Sequence, residues 1–260
     1  MSAASCDAVT YRYDGTYEGF LCCVFESYVE HELPQAILGP EAMETSLFGV
    51  RKIVTEEQHA ERVARSIPLR ISPAADELLR TAFLSCLPEK EMYMLRFLRQ
   101  GYRFGARYLD FAGDTTVHVL TEAVKHLLNE AHLLKGFIRF SVQKDVLVTT
   151  IGPKNFVLPF LSRHFRERYP EEHILIYDAC HHAALIYRPY ESGIIPMDAF
   201  LASPPDEEER KFRALWRTFY DTIEIQPRHN EKCRMTLMPR RYWRYMTEFT
   251  HEDEQGLVHL

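Results

Sequence analysis

The sequence predicts an α+β fold in which a mainly helical N-terminal half is followed by a small antiparallel sheet flanked by helices. Apolar residues recur at helical spacing through much of the first half of the chain. The second half instead contains β-rich runs, two of them separated only by Gln143-Lys144-Asp145, as in a hairpin. Its segments then alternate between strand-like and helix-like patterns, which is typical of an antiparallel sheet with helices on one face.

The helical half contains clear helix-start signals. Thr16 is a suitable N-cap before a run of apolar residues at helical spacing. Ser72 followed by Pro73 is a second start signal, because proline is favoured at the first helical position, and Pro88 opens a third helix. The predicted elements are strands over 10–14 and 48–55 and helices over 17–31, from 73 onward, over 88–104 and over 116–134.

The second half is predicted to carry short strands separated by polar or proline-containing segments. Asp206 and the three glutamates after it suit the first turn of a helix, because the helix dipole favours negative charge there. The apolar residues expected to face inward from this helix are Phe212, Leu215, Trp216 and Phe219. The strands over 174–177 and 184–187 are expected to pair with each other. The predicted elements are strands over 137–142, 146–151, 174–177, 184–187 and 223–225 and helices over 156–168, from 206 onward and over 240–249.

Composition and cysteine usage indicate a globular protein of the cytoplasm. Apolar residues make up 46% of the chain and charged residues 26%, which excludes a wholly disordered chain. The six cysteines show no C-x-x-C spacing and are expected to be reduced thiols. No uninterrupted apolar stretch of about 18 residues is present, and residues 1–10 lack the pattern of a secretory signal. We therefore expect a cytoplasmic protein that makes no membrane contact.

Several motifs that carry enzyme chemistry are absent from the sequence. It contains neither G-x-G-x-x-G nor G-x-x-x-x-G-K, so the usual phosphate-binding loops are unsupported. H-E-x-x-H, G-x-S-x-G and the zinc-deaminase P-C-x-x-C are missing as well. The adjacent Cys180, His181 and His182 lack the further spaced ligands that a metal site needs. The sequence therefore predicts no self-contained metal or redox enzyme, and neither a metal nor a cofactor is expected.

Charge is distributed unevenly along the chain. The net charge of −6 gives no general attraction for nucleic acid. Residues 1–60 carry three basic residues against ten acidic ones, whereas residues 226–245 carry six against one and residues 96–107 carry four against none. This asymmetry fits a polyanion-binding face on an acidic body, and it equally fits an acidic half that docks on a basic half.

The first candidate binding feature is a row of arginines in the predicted helix over 88–104. At 100° per residue, the four side chains fall within about 80° of one another if the helix continues far enough. Guanidinium groups match the geometry of phosphate oxygens, so such a row suits a nucleic-acid backbone. The alternative is a solvated helix face that pairs with the acidic N-terminal segment. The residues are Arg96, Arg99, Arg103 and Arg107.

A second candidate lies at the junction between the predicted helix over 116–134 and the strand after it. Gly136 is a natural helix stop, His132 and Lys135 occupy the last turn, and Arg139 shares a strand face with Phe137. Cations beside an aromatic ring are typical of sheets that read nucleic acid. Alternatively, His132 and Lys135 neutralise the helix C-terminus.

A third candidate is the segment over 238–245, in which basic and aromatic residues alternate. Arginines there can bind phosphate while Tyr or Trp rings stack on bases or pack in the core. Trp243 is expected in the core. His164, on the predicted helix over 156–168, is expected to be structural unless it serves as a proton carrier. The basic candidates of this region are Arg228, Arg240, Arg241 and Arg244.

Several long segments together resemble a bacterial family described as probable DNA metabolism proteins, which contains a domain of unknown function. The resemblance covers a single domain over 11–249, with a helical part over 11–134 and an α+β part over 135–249, and it leaves an acidic tail over 250–260. It implies a role in DNA repair beside a putative radical-SAM protein, and a similar domain is sometimes fused to a uracil-DNA-glycosylase-like domain. The matching segments are YDGTYEGFLCCVFESY (13–28), NEAHLLKGFIRF (129–140), VLPFLSRHFRERYPEEHILIYD (157–178), LWRTFYDTIEIQPRHN (215–230) and MPRRYW (238–243).

The leading hypothesis is therefore a DNA-binding accessory protein in DNA repair or modification that acts with a radical-SAM enzyme. One alternative is an enzyme in its own right on damaged or modified DNA, with Lys135 as the nucleophilic amine and His132 or His164 as the proton carrier. Another alternative is an interaction scaffold whose basic stripe docks an acidic protein. Whether the chain is catalytic is left open by the sequence.

Overall fold

The computed structural model describes residues 9–42, 49–201, 204–223, 225, 230–249, 251–252 and 258–259. The chain forms two compact units, one over residues 1–126 and the other over residues 127–260. Helix α5 (Thr115–Phe137) contains the point at which the first unit ends and the second begins. Each unit has its own cluster of buried apolar residues.

The first unit contains a three-stranded parallel sheet in the order β2–β1–β3. The strands are β1 (Val9–Arg12), β2 (Ala36–Leu38) and β3 (Gly49–Lys52). Tyr11 of β1 lies opposite Ile37 on one side and Arg51 on the other. The two predicted strands are thus present in a unit that is mainly helical, as expected, but β2 and the parallel pairing of the three strands were not expected. Parallel neighbours arise here because a helix returns the chain between β1 and β2.

The helices of the first unit begin largely where the sequence signals place them. They are α1 (Tyr17–Val29), α2 (Glu57–Arg70), α3 (Pro73–Phe83), α4 (Lys90–Phe104) and the first part of α5. Thr16 and Ser72 cap α1 and α3 as expected. Helix α2 was missed, because it buries only Ala60, Val63 and Ile67 and contains Pro68, which weakens its helical pattern.

The second unit is built on a five-stranded mixed sheet in the order β4–β5–β6–β7–β8. The strands are β4 (Ser141–Gln143), β5 (Val146–Ile151), β6 (His173–Asp178), β7 (Ala183–Arg188) and β8 (Glu191–Pro196). The β4–β5 hairpin and the antiparallel β6–β7 pair are confirmed. The expectation of a small antiparallel sheet is confirmed only in part, because β5 and β6 pair in parallel through α6 (Leu158–Arg168) and β8 adds a fifth strand. Every residue of β8 is exposed, so no buried alternation marks this edge strand in the sequence.

Other boundaries in the second unit also differ from the sequence prediction. Helix α5 continues through Gly136 to Phe137, so the expected strand over 137–142 is reduced to β4. Ile223 is the last residue of α7 (Glu207–Ile223) instead of the first of a strand. The remaining elements are α8 (Glu231–Leu237), a 3-10 helix (Arg240–Tyr245) where a longer helix was expected, and the paired β9 (His251–Glu252) and β10 (Val258–His259).

The apolar stripe of α7 is the clearest departure from the expected core. Phe212, Leu215, Trp216 and Phe219 were predicted to face inward, yet they are 61%, 65%, 37% and 50% exposed. Trp216 and Phe219 stack on each other with ring centroids 5.5 Å apart. Amphipathic spacing shows that a helix has an apolar side, but it does not specify what covers that side. Among the described helices, none combines the length and apolar character needed to cross a bilayer.

Candidate nucleic-acid interface

Two of the predicted arginines lie exposed on the outer side of α4. The opposite side of this helix packs into the core through Met94, Phe97 and Leu98. Arg96 and Arg103 are seven residues apart in the sequence, so they sit about 10 Å apart along the axis and nearly in line. Within the described part of the chain, neither guanidinium has a carboxylate partner, and each lies only near an aromatic ring of its own helix. Both groups are therefore available to an anion from outside.

Arg99 has a different environment from its neighbours in the row. One of its terminal nitrogens donates to the backbone carbonyl oxygen of Ser27 at 2.9 Å and to that of Glu32. Its guanidinium also lies 5.3 Å from the centre of the Tyr28 ring. Arg99 thus binds carbonyl groups at and beyond the C-terminal end of α1, where helix carbonyls lack intrahelical partners.

Arg107 does not continue the row, because α4 ends at Phe104. Gly105 has a φ of +66°, a backbone conformation that favours glycine, and it opens a 3-10 helix over Gly105–Asp110. Arg107 is exposed on that segment. The structure therefore aligns Arg96 and Arg103 on one helix, and it places Arg107 on the following element.

A groove of 760 Å³ lies between α1, α2 and α4 in the first unit. Its buried floor includes Val24 and Val63, and its walls carry the rings of Phe25, Tyr28 and Tyr102. The ring centroids of Tyr28 and Tyr102 are 5.9 Å apart with the planes at 81°. Sequence reasoning missed this groove because it did not predict α2, which forms one of its sides.

Arginines from α2 surround the aromatic part of the groove. The groove is lined by Arg62, Arg65 and Arg70, and the lining contains one acidic residue, Glu61. Glu61 accepts a hydrogen bond from Arg65 at 2.5 Å. In the described chain, Arg62 and Arg70 have no carboxylate partner. Burial raises the pKa of the Tyr102 hydroxyl, and the hydrogen bond with Ser66 and the charge of nearby Arg70 oppose that rise. The groove thus combines aromatic rings with a local excess of positive charge.

In the second unit, Arg139 is held by internal contacts. It donates to Glu248 Oε1 at 2.8 Å and to the Gly136 carbonyl oxygen at 2.9 Å. The Glu248 side chain is only 1% exposed and also accepts from Trp216 Nε1 at 3.2 Å. The Arg139 guanidinium therefore neutralises a buried acid, and the aromatic ring it approaches is Trp216, at 5.2 Å, instead of Phe137.

Arg241 is likewise committed to a buried carboxylate. Its terminal nitrogen lies 2.9 Å from Glu130 Oε1, and the Glu130 side chain is 4% exposed. Glu130 also accepts hydrogen bonds from the Tyr242 hydroxyl and from Asn155. Burial alone raises the pKa of Glu130, but the hydrogen bonds from Tyr242, Lys154 and Asn155 outweigh burial and hold it below its usual range. This network ties α5, the loop after β5 and the 3-10 helix together.

The catalytic candidates of the sequence analysis lie on α5 and α6. Lys135 is half-buried and His132 is exposed on the last turns of α5, while His164 is half-buried on α6. The pKa of His164 is lowered first by burial and then by the positive charges of Lys135 and Arg168. The structure therefore brings Lys135 and His164 within electrostatic reach of each other. His132 shares the face of α5 that carries Lys135, because residues three apart are neighbours on a helix.

The remaining basic candidates lie on or before the 3-10 helix over Arg240–Tyr245. Arg240 and Arg244 are exposed, with guanidiniums 5.5 Å from the Trp243 ring and 4.6 Å from the Tyr245 ring. Trp243 packs against the core of the second unit, as expected. Arg228 lies outside the described residues.

The Cys180-His181-His182 turn follows β6 and is organised by a buried acid. Asp178 has a fully buried side chain, and its Oδ2 lies 2.7 Å from His181 Nδ1. The other oxygen, Oδ1, accepts from the backbone N–H groups of Cys180 and His181. Among the described residues, no three His, Cys, Asp or Glu side chains are grouped so that they could hold a metal ion. The turn is thus held by an aspartate–histidine pair.

Comparison with known families gives a match over residues 88–248. The matching family is described as a domain of unknown function, DUF4130. The matched range includes α4 and most of the second unit, and it excludes α1 and α2. No curated protein matches the chain.

Proposed function

The chain belongs to the DUF4130 family, and from its exposed cations we propose that it is a DNA-binding accessory protein in DNA repair or modification. The observation that carries the proposal is the exposed pair of Arg96 and Arg103 on α4, neither of which has a carboxylate partner among the described residues. Guanidinium groups bind phosphate oxygens in pairs of hydrogen bonds, so this surface suits a phosphate backbone. Further positive charge in the two units comes from the exposed Arg107, Arg240 and Arg244 and from the half-buried Lys135.

The acidic residues of α1 and the loop after it do not compete for these arginines. Arg51 lies 3.5 Å from Glu26, 3.4 Å from Glu30 and 3.2 Å from Glu32. This pairing leaves the cluster with a net charge of 1 − 3 = −2, yet none of its carboxylates contacts Arg96 or Arg103 among the described residues. It therefore weakens the alternative that the arginine row exists to pair with the acidic N-terminal segment. Phosphate groups of a nucleic acid are the more suitable partners for Arg96 and Arg103.

A protein partner is the second part of the proposal. The resemblance to DNA metabolism proteins suggests a radical-SAM enzyme as that partner, and this enzyme would supply the redox chemistry. The apolar face of α7 is a suitable surface, because Phe212, Leu215 and Phe219 are at least half exposed. Contiguous exposed apolar residues commonly mark protein interaction sites.

The DNA-binding part is tested with the double variant Arg96→Glu/Arg103→Glu. Anisotropy titrations of labelled DNA at low salt should show an affinity at least about tenfold lower than that of the unaltered protein, because two attractive charges become repulsive toward phosphate. The matched control is Arg188→Glu/Lys211→Glu, which changes the net charge equally. Arg188 and Lys211 already pair with Glu191 and Glu207 at 3.1 Å and 2.7 Å, so this control should bind almost normally. Equal affinity of both double variants would contradict the proposal.

A second candidate function is catalysis on damaged DNA by Lys135. The observation that favours it is that Lys135 and His164 are both half-buried in the second unit, where the charge of Lys135 adds to the effect of burial in lowering the pKa of His164. A lysine amine can attack the aldehyde of an abasic site and form an imine with loss of water, and His164 would carry the proton. Borohydride reduction should then trap a covalent adduct that disappears in Lys135→Arg. A Lys135-independent adduct, or none, would remove this candidate.

A further inference from the structure

We propose that the groove between α1, α2 and α4 binds an unpaired base of a nucleic acid. This inference rests on the proposed function and names the form of nucleic acid that the protein prefers, which is a single strand or an unstacked nucleotide. It concerns α1 and α2, which lie outside the residues matched by the family model. The groove, its rings and its arginines are all within the first unit.

The size and apolar lining of the groove suit an organic ring system. Its volume of 760 Å³ falls within the range of about 300–1,000 Å³ found for ligand pockets. Val24 and Val63 form a buried floor, while Tyr28 is 41% exposed and Leu69 is 84% exposed at the surface. A planar base that stacks on the Tyr28 ring and covers Leu69 would remove apolar surface from water. Every base has a π face, so such binding is tolerant of sequence.

The charge of the groove suits the phosphates of that nucleotide. Three arginines and one glutamate line it, giving a local charge of 3 − 1 = +2 within a chain whose net charge is −6. Arg65 is paired with Glu61, so the guanidiniums of Arg62 and Arg70 are the ones available to phosphate. An acidic ligand is favoured over a neutral or basic one, because attraction is concentrated where the cations cluster. Aromatic rings interleaved with arginines are the combination found in single-strand binding grooves.

The Tyr28 ring is held in place before any ligand arrives. Arg99 lies 5.3 Å from the ring centre and is itself fixed by the carbonyl oxygens of Ser27 and Glu32. Tyr102 meets the Tyr28 ring edge-on, and its hydroxyl lies 2.5 Å from Ser66 Oγ. A fixed ring loses little conformational entropy on binding. Arg99 is thus a positioning residue for the groove.

The experiment compares two labelled strands of equal length, one of thymidine nucleotides and one of abasic nucleotides. Both carry the same phosphates, so only the first offers bases to the groove. In anisotropy titrations the unaltered protein should bind the thymidine strand about tenfold more tightly than the abasic strand. Tyr28→Leu should lower affinity for the thymidine strand to that for the abasic strand, and Tyr28→Phe should retain the preference.

A second variant keeps the test decisive even if Tyr28→Leu fails to fold. Leu69→Glu places a negative charge at an 84% exposed position of the groove, so the variant should fold normally. Its affinity for the thymidine strand should fall at least about fivefold. Its control is Leu201→Glu, at a 93% exposed position outside the groove, which should bind normally. If the two strands bind equally well and the Arg96→Glu/Arg103→Glu variant still binds both more weakly, the groove inference is overturned and the proposed function stands. The groove would then bind another ligand, such as a peptide. Loss of salt-sensitive binding to every strand would overturn both.

Discussion

Arginine side chains of identical chemistry have different roles in this protein. Arg96 and Arg103 are exposed, Arg99 binds two carbonyl oxygens, and Arg139 and Arg241 neutralise buried glutamates. A buried charge is tolerated only when it is paired and hydrogen-bonded. Arg139 and Arg241 therefore contribute to the structure of the second unit. The proposed DNA contacts are made by exposed arginines that neutralise no buried acid, above all Arg96 and Arg103.

Glu130 is the residue on which we expect the second unit to depend most. In Glu130→Ala, Arg241 loses its carboxylate and the backbone N–H groups of Lys154 and Asn155 lose their acceptor. The free energy of unfolding should fall by about 2–3 kcal/mol, because buried donors lose their acceptor while Arg241, which is 38% exposed, can still be solvated. Chemical denaturation measures this decrease. A change similar to that of an exposed-site control, Glu171→Ala, would contradict the assigned role.

The pH dependence of stability follows from the same carboxylate. The pKa of Glu130 in the folded protein lies below its ordinary value of 4.5, because its hydrogen bonds outweigh the effect of burial. Its contribution to stability is therefore complete above pH 4.5 and is lost as the pH falls through the lower, folded-state pKa. Unfolding measured in that acidic range should depend less on pH in Glu130→Gln, which cannot titrate. If the free energy of unfolding depends on pH equally in Glu130→Gln and in the unaltered protein, other carboxylates dominate acid unfolding.

At the scale of single elements, capping side chains stabilise the starts of α1 and α3. Thr16 Oγ1 accepts a hydrogen bond from the backbone N–H of Gly19 at 2.9 Å, and α1 supplies one wall of the aromatic groove. Thr16→Ala should lower the free energy of unfolding by about 1 kcal/mol, and Thr16→Ser should be nearly neutral. Thermal unfolding of the three proteins provides the comparison. Equal destabilisation by both substitutions would mean that the methyl group, and not the cap, matters.

For helix α7 we expect substitutions to have little effect on stability, because its apolar residues are exposed. Phe212→Glu/Leu215→Glu removes side chains that are 61% and 65% exposed, so the free energy of unfolding should change by less than about 1 kcal/mol. Capture of a protein partner through this face should nevertheless be abolished, because a charge would have to be buried in the interface. Denaturation and co-purification with the partner measure the two effects. Strong destabilisation would show that α7 is covered within the protein.

For the whole molecule, local charge must outweigh the net charge of −6 if DNA is bound. The logarithm of the binding constant should then fall linearly with the logarithm of the salt concentration, because bound phosphates release counterions. In Arg96→Glu/Arg103→Glu this slope should become shallower by about two, one for each phosphate that the variant no longer neutralises. Titrations at several salt concentrations give the slope. A variant with weaker binding but the same slope would indicate indirect damage to the fold.

The sequence alone determined the features that depend on near neighbours in the chain. The caps at Thr16 and Ser72, the β4–β5 hairpin and the antiparallel β6–β7 pair were all predicted from local patterns. Helix α2 and the edge strand β8 were missed because few of their residues are buried, so they lack the apolar periodicity on which such predictions rest. The aromatic groove depends on α2 and was missed with it.

Only the tertiary structure decided which cations are available and which surfaces are covered. Arg99 donates to the carbonyl oxygen of a residue 72 positions away in the sequence. Arg139 and Arg241 donate to glutamates that are 109 and 111 positions away. The parallel pairing of β5 with β6 and the exposure of α7 likewise depend on contacts that no local pattern encodes. The physical reason is that capping and periodicity act over a few residues, whereas pairing of charges and covering of apolar faces depend on which distant segments meet when the chain folds.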